Sequence, residues 1–161
     1  MILPIEKYKI NYKNEWLTPI EIINALGEFD LDPCSPINRK WDTAKKHINQ
    51  IEDGLKTEWE GRVWCFPPFA KESLKWLEKC AVHGNCIALT FVRSDTKLFH
   101  QVVFPTSYAL FFLEKRIKFY SLNGEQGDSS SSPSVLIAFD KNNADVLKNC
   151  KLKGYYVDLK L

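Results

Sequence analysis

Asn85 to Val92 reads NCIALTFV, an apolar run of strand length with turn-forming Gly84 before it and charged Arg93 after it. A strand with no polar face has to be covered on both sides, which is the situation of a central strand in a sheet with helices on each face. Ser134 to Phe139 is a second run of this kind, and Arg62 to Cys65 a shorter one entered through Trp59-Glu60-Gly61. Between them, Leu74, Leu77, Cys80 and Ala81 recur at helical spacing. Strands alternating with helices predict an α/β sandwich with a mostly parallel sheet.

The remaining elements follow from local signals. Residues 1–15 read as an irregular or short-strand lead-in. Thr18-Pro19 predicts a helix start, with a hydroxyl cap and then proline at the first helical position. Ile20, Ile23, Ala25 and Leu26 give that helix an apolar face, and Gly27 stops it. Phe29 to Asp32 reads as a short strand closed by Pro33, Thr43 to Ile48 as a helical stretch, and Asp53-Gly54 as a turn. Ser94 caps a predicted helix through Val103. Tyr108 to Leu113 and Arg116 to Tyr120 read as strands joined by a charged turn, an antiparallel hairpin at one sheet edge. The polar stretch GEQGDSSSSP, residues 124–133, is either a mobile functional loop or a passive excursion. Asn142 to Asn149 predicts a helix and Tyr155 to Leu159 a last edge strand. Internal repeats and linkers are not apparent, so one domain over 1–161 is expected.

Composition narrows the function classes. With 161 residues, 45% hydrophobic and a net charge of +2, the chain is not a uniformly basic nucleic-acid binder, although a local basic face is compatible with that total. Five scattered cysteines form no CxxC pair and no Cys/His set at zinc spacing, so the expected reading is reduced thiols, a cytoplasmic location and no metal site. No apolar stretch is long enough for a membrane span.

In an open parallel sheet, ligands bind beyond the carboxyl ends of the strands. Three stretches meet that condition: Asp32-Pro33-Cys34-Ser35, Asp53-Gly54-Leu55 and Phe66-Pro67-Pro68-Phe69. Taken in order, NEWLTP, EFDLDPC, EDGL with a tryptophan four residues on, VWCFPPF, FVRSDTKLFH, KRIKF and SPSVLIAF resemble the phage-type DNA adenine methyltransferases, the Dam-like DNA N-6-adenine-methyltransferases. The resemblance spans residues 14–139. It implies a Rossmann-like fold that binds S-adenosylmethionine (SAM) and acts on adenine in double-stranded DNA, in a phage- or prophage-encoded protein of a bacterial cytoplasm. On that resemblance Trp16, Thr18 and Pro19 belong to the donor-contacting N-terminal motif. Asp32, Pro33 and Cys34 look like the donor-binding motif after the first strand. Asp53 looks like the residue that accepts from the donor's adenine; apart from the resemblance, Thr18 and Ser35 can supply hydroxyls, and Trp16 and Leu55 apolar walls.

The proline loop occupies the place of the family's catalytic motif, Asn or Asp, then Pro-Pro, then Tyr. Phe66 stands where the acceptor for the target amine belongs, and phenyl has no acceptor. The Pro67 carbonyl can still accept, Pro68 completes the pair, and Phe69 can still stack on an extruded base. Two readings stay open: a methyltransferase with another acceptor or weak turnover, and a homologue that binds SAM, DNA or a partner without methylating. Arg93, Lys115, Arg116 and Lys118 are the candidate phosphate contacts, against the plainer reading of solvated side chains.

Overall fold

In the computed structural model the described residues are 15–68 and 71–160. The elements are α1 (Ile20–Leu26), β1 (Leu31–Asp32), β2 (Lys46–His47), β3 (Val63–Cys65), α2 (Ser73–His83), β4 (Cys86–Phe91), a π-helical turn Phe99–Val103 leading into α3 (Phe104–Thr106), β5 (Ala109–Leu113), β6 (Ser134–Ala138), α4 (Lys141–Asn149) and β7 (Gly154–Asp158). The strands form one sheet in the order β2-β1-β3-β4-β6-β5-β7.

Side-chain alternation along these strands builds two cores. Val63 and Cys65 of β3, Cys86 and Ala88 of β4, and Val135 and Ile137 of β6 point to one face, where they meet Leu77 and Cys80 of α2 and Phe99, Val102 and Val103 of the π-helical turn. Trp64, Ile87, Leu89, Leu136 and Ala138 point to the other, against Ile22, Ile23 and Leu26 of α1 and Ala144 and Leu147 of α4. Two-sided burial explains why β4 and β6 carry no polar alternation. The result is a three-layer α/β sandwich.

Several expectations are corrected. The sheet is not mostly parallel: β1–β2, β1–β3 and β3–β4 pair parallel, but β4–β6, β5–β6 and β5–β7 pair antiparallel. Arg116 to Tyr120 is not a strand, so there is no hairpin with β5; β5 is flanked instead by β6 and β7. The alternation there is nonetheless real, since Ile117 and Phe119 are buried while Arg116 and Lys118 are exposed. That segment pairs with the polar stretch that follows it: Gly127 N–H donates to the Phe119 carbonyl at 2.8 Å and Ser130 N–H to Ile117 at 3.0 Å.

Thr43 to Ile48 is not helical; it contains β2, whose register on β1 is Leu31 opposite Lys46 and Asp32 opposite His47. Parallel pairing to a neighbour distant in sequence overrides the local helical tendency. Thr18 does not cap α1: Pro19 itself is the N-cap, and no side chain makes a capping bond there. Ser94 is not a helix cap; its carbonyl accepts from His100 Nε2 at 2.8 Å within a turn. Residues 1–14, Phe69 and Ala70 lie outside the described residues, and so does the stacking role assigned to Phe69.

Candidate functional site

The parallel strands β1 and β3 both end at one edge of the sheet, and a cavity of about 490 Å³ opens there. It is lined by residues from each stretch that the sequence singled out: Trp16 and Thr18; Asp32, Pro33, Cys34 and Ser35; Asp53 and Leu55; Phe66, Pro67 and Pro68. Pro19 is not among the lining residues, and neither are Arg93, Lys115, Arg116 and Lys118.

The loops touch one another closely. Gly54 packs so tightly on the tip after β1 that a Cβ there would sit 2.0 Å from the Pro33 carbonyl oxygen. Asp53, just before it, has φ +56°, a left-handed conformation uncommon outside glycine, and its Oδ1 accepts from Leu55 N–H at 3.1 Å. The turn is clamped from behind by α2. Lys79 Nζ donates to the carbonyls of Gly54 (3.1 Å), Leu55 (3.0 Å) and Thr57, so all three ammonium donors are used. Trp59 Nε1 donates to the Gly54 carbonyl as well, at 2.8 Å, and Lys79 Nζ lies 4.9 Å from the centroid of the Trp59 ring.

Asp32 is the most constrained carboxylate of the cavity. It is 4% exposed, accepts from Thr43 Oγ1 at 2.5 Å and from Cys34 N–H at 3.1 Å, and burial pushes its pKa up to about 6. Those two hydrogen bonds and the charge of Arg39 act in the opposite direction without overcoming burial. Glu15 is also held above the usual carboxylate range by burial, and its Oε2 is buried with no hydrogen-bond partner. Burial pushes the Cys34 thiol well up, with further contributions from Cys65, Asp32, Glu15 and Glu72, so Cys34 forms a neutral wall rather than a nucleophile. Among the described residues, Glu15, Asp32, Asp53 and Glu72 line the cavity against one cation, Arg39. Such a lining favours a positively charged ligand and disfavours a phosphate.

Residues 117–127 do not line the cavity but pack behind the lining residues Trp16, Leu17 and Phe66. Leu17 and Tyr120 exchange backbone bonds of 2.7 and 3.0 Å, and Trp41 Nε1 donates to the Thr18 carbonyl at 3.0 Å. Gly127 lies under Trp16, where a Cβ would meet Cζ3 at 3.1 Å. Residues 124–133 are therefore neither a free lid nor a loose excursion; they brace the Trp16 segment. The Phe66 ring stacks on Phe119 with centroids 5.1 Å apart and planes 5° from parallel. Arg116 also holds this region, its Nη1 donating to the Ser131 carbonyl at 2.9 Å and reaching Ser130 at 3.5 Å.

Sequence reasoning missed Glu15, Arg39, Thr43, Gln50, Trp64, Glu72 and Trp76 among the lining residues. Glu15 sits inside the NEWLTP block and was within reach of a closer reading. Thr43 was not, because it reaches Asp32 only through the β1–β2 pairing. Glu72 and Trp76 lie one helical turn apart at the start of α2, which the pattern read as core alone.

A protein-family model described as Dam, DNA N-6-adenine-methyltransferase, matches residues 6–150. No curated protein and no solved structure matches the chain.

Proposed function

The chain belongs to the Dam family of DNA N-6-adenine-methyltransferases, and on that premise we propose that it is a Rossmann-like SAM-dependent enzyme, one domain over 1–161, acting on the exocyclic amine of adenine in DNA. The observation that carries the reading is the convergence of Asp32, Asp53 and Pro67 on one cavity. Its volume lies within the roughly 300–1,000 Å³ of small-molecule sites. The donor set fits SAM: four carboxylates suit its sulfonium and ammonium charges, and the orphaned Glu15 Oε2 is an acceptor awaiting a donor. SAM supplies an electrophilic methyl group when bound.

The protein's own part is binding and alignment. Asp53 and Leu55 would hold the adenosine portion, on a turn kept rigid by Lys79. Asp32, Cys34 and Ser35 would face the charged portion. Trp16 is 37% exposed and braced by Gly127, which suits a flat wall for a ring. The Pro67 carbonyl would accept from the target amine and so direct its lone pair. Preplaced acceptors of this type are worth about 10²–10³ in rate when removed singly.

The stacking of Phe66 on Phe119 favours a second reading, a homologue that binds donor or DNA with little or no turnover. The aromatic pair stands where the family places its side-chain acceptor. The two readings separate in an assay with tritiated SAM and adenine-containing DNA, wild type beside Phe66→Asn. Wild type should transfer slowly and Phe66→Asn faster. Fast wild-type transfer that the asparagine does not improve contradicts the reading of Phe66. Absence of transfer by both, with SAM bound, supports the binding-only alternative.

A further inference from the structure

Several positive side chains at the carboxyl edge of the sheet lie outside the cavity. β5 runs in the same direction as β4, because each is antiparallel to β6. The end of β5 therefore lies at the cavity edge of the sheet. β7 is antiparallel to β5, with Leu113 opposite Gly154, so the beginning of β7 lies there too. Lys115 follows β5, while Lys151 and Lys153 precede β7. Glu114 N–H donates to the Lys153 carbonyl at 3.0 Å, which fastens the two connections side by side. Leu152, between the two lysines, packs into the core shared by α1 and α4. All three lysines are exposed, and among the described residues no ion pair within 4.0 Å engages any of them. Glu114 is the acidic neighbour of the patch, and it is exposed as well.

We infer that Lys115, Lys151 and Lys153 form a remote phosphate-contacting corner for duplex DNA, separate from the cavity and reading no sequence. From β3, which carries the proline loop, to β7 there are four strand spacings, β3-β4-β6-β5-β7. At about 4.8 Å each these span about 19 Å, or five to six base pairs at about 3.4 Å. Exposed Lys71, Arg93 and Lys97 lie at the same edge, after β3 and β4, and extend the positive track between the cavity and the corner. A duplex held at the cavity thus gains contacts well to one side of the target base. The net charge is only +2, and the rim is mixed: four carboxylates lie in the cavity, while exposed Asp95 and Glu114 stand among the rim cations. The inference rests on the proposed DNA substrate but concerns a surface the cavity does not use.

The test is fluorescence anisotropy with a labelled 30-base-pair adenine-containing duplex, titrated at several salt concentrations between 50 and 200 mM. Wild type is compared with the triple variant Lys115→Gln, Lys151→Gln, Lys153→Gln. A control carries Lys141→Gln and Lys160→Gln, which lie at the opposite end of the sheet. Each phosphate contact contributes about 0.9 to the slope of log affinity against log salt, so losing three should reduce the slope by about 2.7 and weaken binding at least tenfold at the low-salt end. The control should keep the wild-type slope, and SAM titration should be the same for all three proteins. An unchanged slope in the triple variant, or an equal drop in the control, overturns the inference. So does failure of wild type to bind the duplex at all; a SAM titration that then still succeeds leaves the cavity reading standing.

Discussion

In β2-β1-β3-β4 the strands run parallel, and the loops leaving β1, β2 and β3 all enter one cavity; in β6-β5-β7 the strands run antiparallel, and the connections beyond them carry exposed lysines or brace the cavity wall. Parallel strands must all discharge their chains at the same edge, so loops distant in sequence are brought together there. Antiparallel strands return directly and leave no shared crevice. The same core holds both halves, since β4 and β6 pair over five residues, Ile87 with Ala138 through Phe91 with Ser134. The difference lies in where a buried ionisable group is kept, since both halves bury neutral polar side chains such as Ser134. The parallel half keeps Asp32 4% exposed at the end of β1, while β6 is buried throughout without a charge.

This contrast is broken most forcefully by a cavity mutation in the antiparallel half. Leu136 of β6 is fully buried between α1 and α4, and Leu136→Ala should cost about 2–5 kcal/mol in urea unfolding. SAM affinity of the folded fraction should not change; a parallel loss of affinity would mean that the halves are not separable. Gly54→Ala should cost less, about 1–3 kcal/mol, because the new methyl meets a backbone carbonyl that cannot turn away. Here SAM binding should fall more than tenfold in calorimetry, since the tips after β1 and β2 are forced apart.

Asp32 sharpens the comparison through pH. Its carboxyl is protonated to about pH 6 in the folded chain and to about pH 4 when unfolded. Between those values the folded state holds the extra proton. Stability is therefore greatest below pH 4 as far as this group is concerned, falls as pH rises towards 6 and is level above. The fall amounts to about 3 kcal/mol, since one pKa unit corresponds to about 1.36 kcal/mol. Asp32→Asn should flatten that segment of the urea midpoint against pH while weakening SAM binding at pH 7.5. If the variant retains the pH dependence, another group carries it. Lys79→Met should have the smallest effect, about 1.5 kcal/mol of stability from the loss of its charged hydrogen bonds, with a several-fold loss in SAM affinity as the Asp53 turn loosens.

The comparison also governs what could be read from the sequence. β4, β6 and α2 were legible because an apolar run or a helical period is a local property with one outcome. Asp32, Asp53 and Phe66 were legible because each follows a strand or turn signal at a place where α/β sheets bind ligands. The β1–β2 pairing, the buried hydrogen bond from Thr43 and the use of Arg116 to hold Ser131 were not legible, because each depends on a partner many residues away. Arg116 to Tyr120 misled because its alternation is that of a strand, but β6 and β7 had already taken both edges of β5.

The central claim is that the parallel half holds one cation-accepting cavity for SAM. Isothermal calorimetry of the wild-type chain with SAM at pH 7.5 tests it most directly. Binding should saturate at one site per chain, weakened at least tenfold by Asp53→Asn and left alone by Lys153→Gln. No heat of binding in the wild type, or equal affinity in the Asp53→Asn variant, would contradict it.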